Sequence, residues 1–403
     1  MELDLVRQLA VPNETKIVLA VVDGLGGLPR PETGRSELEA ADTPYLDRLA
    51  AESACGLTIP VAHGVTPGSG PGHLALFGYD PLRYTVGRGV LEALGIDFNL
   101  QPQDVAARGN FCTLDAEGRI TDRRAGRIAS EQSAALCETL REIELPGVRL
   151  FVEPVREHRF LLVLRPEGKR KLAGGLTDTD PQKEGGPPLE PQPLEKGAEA
   201  TAEAVRRFVA EARERLDGQQ PANGLTLRGF ARQPTLPCLP DILQLRAGAI
   251  AGYPMYRGLA KLVGMTVLDT GSTFDDEIET LREHWDEFDF FFIHYKPADS
   301  AGEDGDFYAK VAALEAFDRA VPRLQELSPD VLIVAGDHST PAVLAGHSWH
   351  PVPFLLSSKW VQRDGARAFD ERACRAGSLG IFPAVEALPL AMAHAQRFNK
   401  YGA

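Results

Sequence analysis

Four stretches of the chain are apolar without alternation: KIVLAVVDG from Lys16, FDFFFIHY from Phe288, DVLIVAGDH from Asp330 and VPFLLSS from Val352. Short continuous runs rich in β-branched and aromatic residues mark strands covered on both faces. Helical patterns such as FYAKVAALEAFDRAVPRLQEL flank them, so an α/β fold with a doubly wound sheet is expected. Three of the four runs carry Asp or His at or next to their last position.

The middle of the chain has another texture. Between residues 100 and 248 lie shorter strands (GNFCTLD, FVEPVREHRFLLVL), a Pro/Gly-rich tract (DTDPQKEGGPPLEPQPLEKG) and one helix (AEAVRRFVAEARERL). This composition suits an α+β unit, with the Pro/Gly tract as a surface loop. Runs of the first kind lie on both sides of it. The expected organisation is therefore a discontinuous core, residues 1–99 and 249–403, interrupted by an inserted domain at 100–248. No internal repeat is visible.

In open α/β sheets ligands gather beyond the carboxyl ends of the strands. There the sequence places Asp23 after IVLAVV, Asp299 after FFFIHY, and the adjacent Asp337 and His338 after VLIVAG. Asp299 and Glu303 are four apart, a spacing that puts two side chains on one face of a helical turn. His347 follows closely in AGHSWHPVP. Carboxylates and imidazoles with few thiols suit Mn²⁺, Mg²⁺ or Zn²⁺. Taken singly, an Asp-Gly after a strand is usually a turn former and a loop His a surface residue. The weight lies in several strand ends loaded with hard ligands.

GVTPGSGPGHLALFGYDP adds Ser69, in a Gly/Pro-rich loop that opens a helix, where free N–H groups favour phosphate. A plain N-cap role for Ser69 fits the local sequence equally well. The stretch is neither a Walker A loop nor a nucleophile elbow. DGLGGLP offers Gly-x-Gly after a strand, but Pro29 occupies the third glycine position, so a dinucleotide site is discounted. Basic residues gather in DRRAGR (Arg123, Arg124, Arg127) and VREHR (including His158), and in YRGLAK (Arg257, Lys261). Clustered guanidinium groups can clamp carboxylate or phosphate.

Composition narrows the field. The formal charge of −14 argues against non-specific binding to nucleic acid or an anionic membrane. The five scattered cysteines form no CxxC pair, which suggests neither a disulfide framework nor a thiolate zinc site. MELDLVRQLAVPNETK lacks the form of a signal peptide, and no run is long enough to span a bilayer. A cytoplasmic protein is expected.

With Asp23, TPGSGPGH, Asp299 to Glu303, GDHSTP and HSWHPVP in this order, the chain resembles the alkaline phosphatase superfamily, and within it the archaeal-type cofactor-independent phosphoglycerate mutases. RGNFCTLD, DRRAGRI, VREHRF, DTDP, AGYPMYRGLAKLVGM and AGSLG extend the likeness from about residue 17 to 380. The resemblance implies an alkaline-phosphatase-like core with an inserted cap. It implies one metal site at Asp299, Glu303 and His347, and a second at Asp23, Ser69, Asp337 and His338, with Ser69 as nucleophile. Two divalent cations are implied, Mn²⁺ first, with Mg²⁺, Zn²⁺ or Co²⁺ as alternatives, and no 2,3-bisphosphoglycerate. Arg123, Arg124, Arg127, His158, Arg257 and Lys261 become candidates for binding a phosphoglycerate, the only partner expected besides further copies of the chain. Where the family usually has His, this chain has Glu303, which adds negative charge. A metal-dependent phosphatase or a phosphopentomutase shares the same signature.

Overall fold

The computed structural model describes residues 3–402. Its strands are β1 (Ile17–Val22), β2 (Ala54–Ile59), β3 (Val105–Leu114), β4 (Ile120–Asp122), β5 (Val148–Arg156), β6 (Arg159–Pro166), β7 (Gly224–Ala231), β8 (Ala247–Ile250), β9 (Thr266–Val267), β10 (Phe290–Tyr295), β11 (Val331–Ala335), β12 (Val352–Ser358) and β13 (Gly380–Pro383). The chain divides into two compact units, 1–85 with 236–403, and 86–235.

The first unit is built on an eight-stranded sheet in the order β13-β2-β12-β11-β1-β10-β8-β9. Its centre is parallel: β8, β10, β1 and β11 run the same way. Every residue of β1, β10 and β11 is buried, as their unbroken apolar runs require. Leu314, Phe317, Val321 and Leu324 of the helix Phe307–Glu326 share one core with Val18, Ala20, Phe291 and Ile293 of the sheet.

The sheet is mixed, because β12 runs antiparallel to both β11 and β2. A parallel return would need a crossover, usually a helix. The segment joining β11 to β12 instead carries Asp337, His338 and His347 and holds only one 3₁₀ turn, Ala342–Leu344.

The second unit has a five-stranded antiparallel sheet, with β3 paired to β4, β6 and β7, and β5 to β6. FVEPVREHRFLLVL is a hairpin that turns at Glu157, whose φ is +50°. Phe111 and Phe160 pack ring to ring at 4.7 Å, above Cys137, Leu140 and Phe208 from two helices.

The boundaries at 99/100 and 248/249 are corrected to 85/86 and 235/236. The helix Arg88–Gly95 belongs to the second unit, where its Val90 and Ala93 share a small core with Ala106, Leu161 and Val163. At the other boundary, β8 is the parallel neighbour of β10, and the Tyr79 hydroxyl donates to the Pro237 carbonyl at 2.5 Å within the first unit. Among the described residues no helix is long and apolar enough to cross a membrane.

Candidate active site

The parallel centre of the sheet fixes where the polar residues meet. Val22 lies in register with Tyr295, and Val21 with Ala335, so β1, β10 and β11 end level. Just beyond these ends come Asp23, Lys296 and Asp337. The short helix Pro297–Glu303 starts here and carries Asp299 in its first turn. Gly24 turns the chain at φ +67°, and a Cβ there would stand 2.6 Å from the Thr340 hydroxyl, so both conformation and space demand glycine.

Four distant segments therefore converge on one point. His338 Nε2 lies 3.3 Å from Asp23 Oδ1, 3.1 Å from Asp337 Oδ2 and 3.2 Å from Ser69 Oγ. On its other side His338 Nδ1 is 3.9 Å from Asp299 Oδ1, and the His347 ring stacks on the His338 ring at 3.6 Å. His347 Nε2 is 3.5 Å from Asp299 Oδ1. Two trios, Asp23–Asp337–His338 and Asp299–His338–His347, bring their ligand atoms within 4.8 Å of one another, and His338 belongs to both. The division implied by resemblance put His338 in one set only.

Glu303 belongs to neither trio. It reaches His347 at 3.6 Å with its side chain half exposed, because it sits at the far end of its short helix.

Ser69 is the first residue of the helix Ser69–Leu76, and Gly68 holds the cap position without a side-chain bond. The N-cap reading of Ser69 is thereby displaced: its hydroxyl faces His338. One turn along, His73 Nδ1 lies 2.8 Å from the Ser69 carbonyl and 3.2 Å from Asp337 Oδ2, tying the start of this helix to the end of β11.

The electrostatics are severe. Asp23, Asp299 and Asp337 are essentially inaccessible to water. Burial, and for Asp23 the charge of Asp337, would raise its carboxyl, but Lys296, His294 and His338 hold it well below the usual range. Asp337 is raised by burial and more than offset by His338 and His73. Asp299 is raised by burial and by Asp23, yet held low by His347, Lys296 and His338. The His347 imidazole, despite burial, is pushed up to about 10 by Asp299 and Glu303. Lys296 is driven well above its ordinary value against its burial, chiefly by Asp23. Its ammonium bridges the carboxylates, 2.9 Å from Asp23 Oδ2 and in contact with Asp299 Oδ2.

Asp23 Oδ1 and Asp337 Oδ2 make ion-pair contacts but no well-formed hydrogen bond. Buried carboxylate oxygens left in this way, beside imidazole nitrogens, form a donor set that fits divalent cations.

Some residues here were not singled out in the sequence, even where a quoted motif contains them. Tyr256 donates to Asp23 Oδ2 and stacks on His294 at 3.7 Å. His294 Nε2 is 3.2 Å from the same carboxylate oxygen. His294 and Lys296 were legible only as polar residues at the end of FFFIHYK, next to a motif already in view.

In the second unit, Arg124, Arg127, Arg108 and Arg159 surround His158. Burial first, then these guanidinium charges, depress its imidazole to about 3, so it is neutral near pH 7. Arg123 instead makes a bidentate pair with Asp180, at 3.1 and 2.7 Å, which engages its guanidinium within the fold. Arg257 and Lys261 lie on the helix Pro254–Leu262 of the first unit, and Arg257 pairs with Asp269 at 3.1 Å. Of the six basic candidates, four belong to the second unit and two to the first.

By fold and by residue chemistry this is an enzyme of the α/β phosphotransfer class. A profile of the 2,3-bisphosphoglycerate-independent phosphoglycerate mutase family matches residues 50–223. A relative in Aquifex aeolicus is 48% identical over 408 residues, covering 100% of both chains. One in Thermus thermophilus is 50% identical over 404 residues, 98% of each. Both are named "Probable 2,3-bisphosphoglycerate-independent phosphoglycerate mutase". Among solved structures, a Pyrococcus horikoshii protein superposes with a TM-score of 0.83 at 27% identity, over 97% of this chain and 100% of that one. The cofactor-independent phosphoglycerate mutase of Thermoplasma acidophilum does so with a TM-score of 0.64 at 30% identity, over 94% and 100%. The chain belongs to the 2,3-bisphosphoglycerate-independent phosphoglycerate mutases, isomerases that transfer a phosphoryl group within one molecule.

Proposed function

We propose that the chain interconverts 3-phosphoglycerate and 2-phosphoglycerate through a phosphoserine at Ser69. The observation that carries this reading is the Ser69 hydroxyl, 3.2 Å from His338 Nε2 at the edge of the buried carboxylate cluster. Asp23, Asp337 and His338 would hold one divalent cation, with Ser69 beside it, and Asp299 and His347 a second, with Glu303 at its outer side. Carboxylates with imidazoles suit Mn²⁺, Mg²⁺ or Zn²⁺, and we take Mn²⁺ first, with Mg²⁺, Zn²⁺ and Co²⁺ as alternatives, because the family resemblance implies it. Such cations supply Lewis-acid charge for phosphoryl oxygens and favour the alkoxide form of a serine.

The chain's own residues then divide the work. Ser69 Oγ forms a bond to phosphorus as the bond to the substrate's O3 breaks, and O3 departs with the proton that Ser69 gives up. Glycerate stays bound. Its O2 attacks the phosphoserine, and its proton returns to Ser69 Oγ as that bond breaks. Lys296 keeps the carboxylates of Asp23 and Asp299 charged and aimed. Arg123, Arg124, Arg127, Arg257, Lys261 and the neutral His158 are our candidates for holding the substrate. Five free cysteines support a reducing, cytoplasmic setting.

A phosphatase would share the cations and the nucleophile but pass the phosphoryl group to water. The discriminating experiment follows Mn²⁺-loaded protein and 3-phosphoglycerate by ³¹P NMR. Conversion to 2-phosphoglycerate without accumulation of inorganic phosphate is expected. Inorganic phosphate as the main product would reject the mutase reading.

A further inference from the structure

We infer that the Thr340 hydroxyl is a positioning group that couples the two cation sites. Thr340 is fully buried, and its Oγ1 donates to Asp299 Oδ1 at 2.7 Å while lying 2.9 Å from His338 Nδ1. A threonine hydroxyl has one hydrogen. Since that hydrogen goes to Asp299, the contact with His338 requires Nδ1 to carry a proton and donate it. When His338 serves a cation as a neutral imidazole, its lone pair is then left on Nε2, the nitrogen that faces Asp23, Asp337 and Ser69. One side chain thereby fixes the tautomer of a ligand shared by both trios and the rotamer of a carboxylate in one of them.

The backbone around Thr340 holds this hydroxyl in place. Its N–H donates to the Gly26 carbonyl at 3.0 Å. The buried Lys310 ammonium donates to that same carbonyl at 2.9 Å and to the Thr340 carbonyl at 2.8 Å. The helix bearing Asp299 presses against it closely enough that a Cβ on Gly302 would stand 2.3 Å from the Thr340 oxygen. Orienting contacts behind metal ligands commonly govern affinity by about 10- to 100-fold.

This inference rests on the two-cation reading above. The test is calorimetric titration of metal-stripped full-length protein with Mn²⁺, for wild type, Thr340→Val and Thr340→Ser, each checked for folding by circular dichroism. Thr340→Val, close in shape but without the hydroxyl, is expected to weaken both binding events by about 10- to 100-fold, and Thr340→Ser to return to within about threefold of wild type. Wild type binding two Mn²⁺ ions and Thr340→Val binding them equally well, or weakened at one site only, would overturn the coupling alone. Wild type binding no Mn²⁺ would overturn the two-cation reading and this inference with it. A second measurement needs no variant: ¹⁵N-histidine correlation spectra of the Mg²⁺-loaded protein should show the His338 proton on Nδ1. A proton on Nε2 would contradict the assignment directly.

Discussion

Lys296 shows how much of this site is charge balance. Its ammonium contacts Asp23 and Asp299, both buried, and replacing it with methionine leaves the two carboxylates with only their histidine neighbours to offset their charge. Breaking a buried pair costs about 3 to 5 kcal/mol. Lys296→Met should therefore lower the melting temperature of metal-free protein markedly, and Mn²⁺ should restore more of the loss than it adds to wild type. Equal Mn²⁺-induced shifts in the two proteins would contradict this. At this scale the sequence was partly legible. Asp23, Asp299, Asp337, His338 and His347 announce themselves because hard ligands follow apolar runs. Tyr256 did not, since its partner Asp23 lies 233 positions away and only the fold joins them. Glu303 was placed by its spacing from Asp299 and by resemblance, and neither says how far a side chain extends past the helix end.

Among the elements, the helix Phe274–Glu283 does more than cover the sheet. Thr273 and Asp276 cap it reciprocally, and this sets the position of Glu277, one residue further on. The Glu277 carboxylate accepts from the backbone N–H groups of Gly252 at 2.9 Å and His294 at 3.3 Å, and burial pushes its pKa up to about 8 from 4.5. A raised folded-state value means that the associated stability is fully present below the unfolded pKa. It is lost as pH rises from 4.5 through about 8. Denaturant titrations at several pH values should show wild-type stability falling across this window, and Glu277→Gln should flatten that component. An unchanged slope in the variant would place the ionisation elsewhere. The buried strands were readable from their unbroken runs. The direction of β12 was not, because reversal depends on the loop holding Asp337 to His347 and not on any residue within the strand. The hairpin at Glu157 was hidden likewise, by polar residues that read equally well as part of a strand edge.

For the molecule as a whole, the inserted unit was visible as a change of texture, but its ends were not. The helix Arg88–Gly95 has the same amphipathic character as helices of the first unit, and only its packing on Ala106 assigns it to the second. If Arg124 and Arg127 retain glycerate between the two transfers, alanine at either should raise KM and increase the share of inorganic phosphate among the products. Unchanged partition between 2-phosphoglycerate and phosphate would place these arginines outside the reaction. Stripping with a chelator should abolish turnover and lower the melting temperature, both recovering with Mn²⁺. The most direct test of a covalent step at this cluster is Ser69→Ala, with Mn²⁺ and 3-phosphoglycerate, followed by ³¹P NMR beside wild type. The variant should fold and bind Mn²⁺ yet form 2-phosphoglycerate slower by a factor of more than about 10³. Interconversion at a rate near that of wild type would contradict the account at its centre.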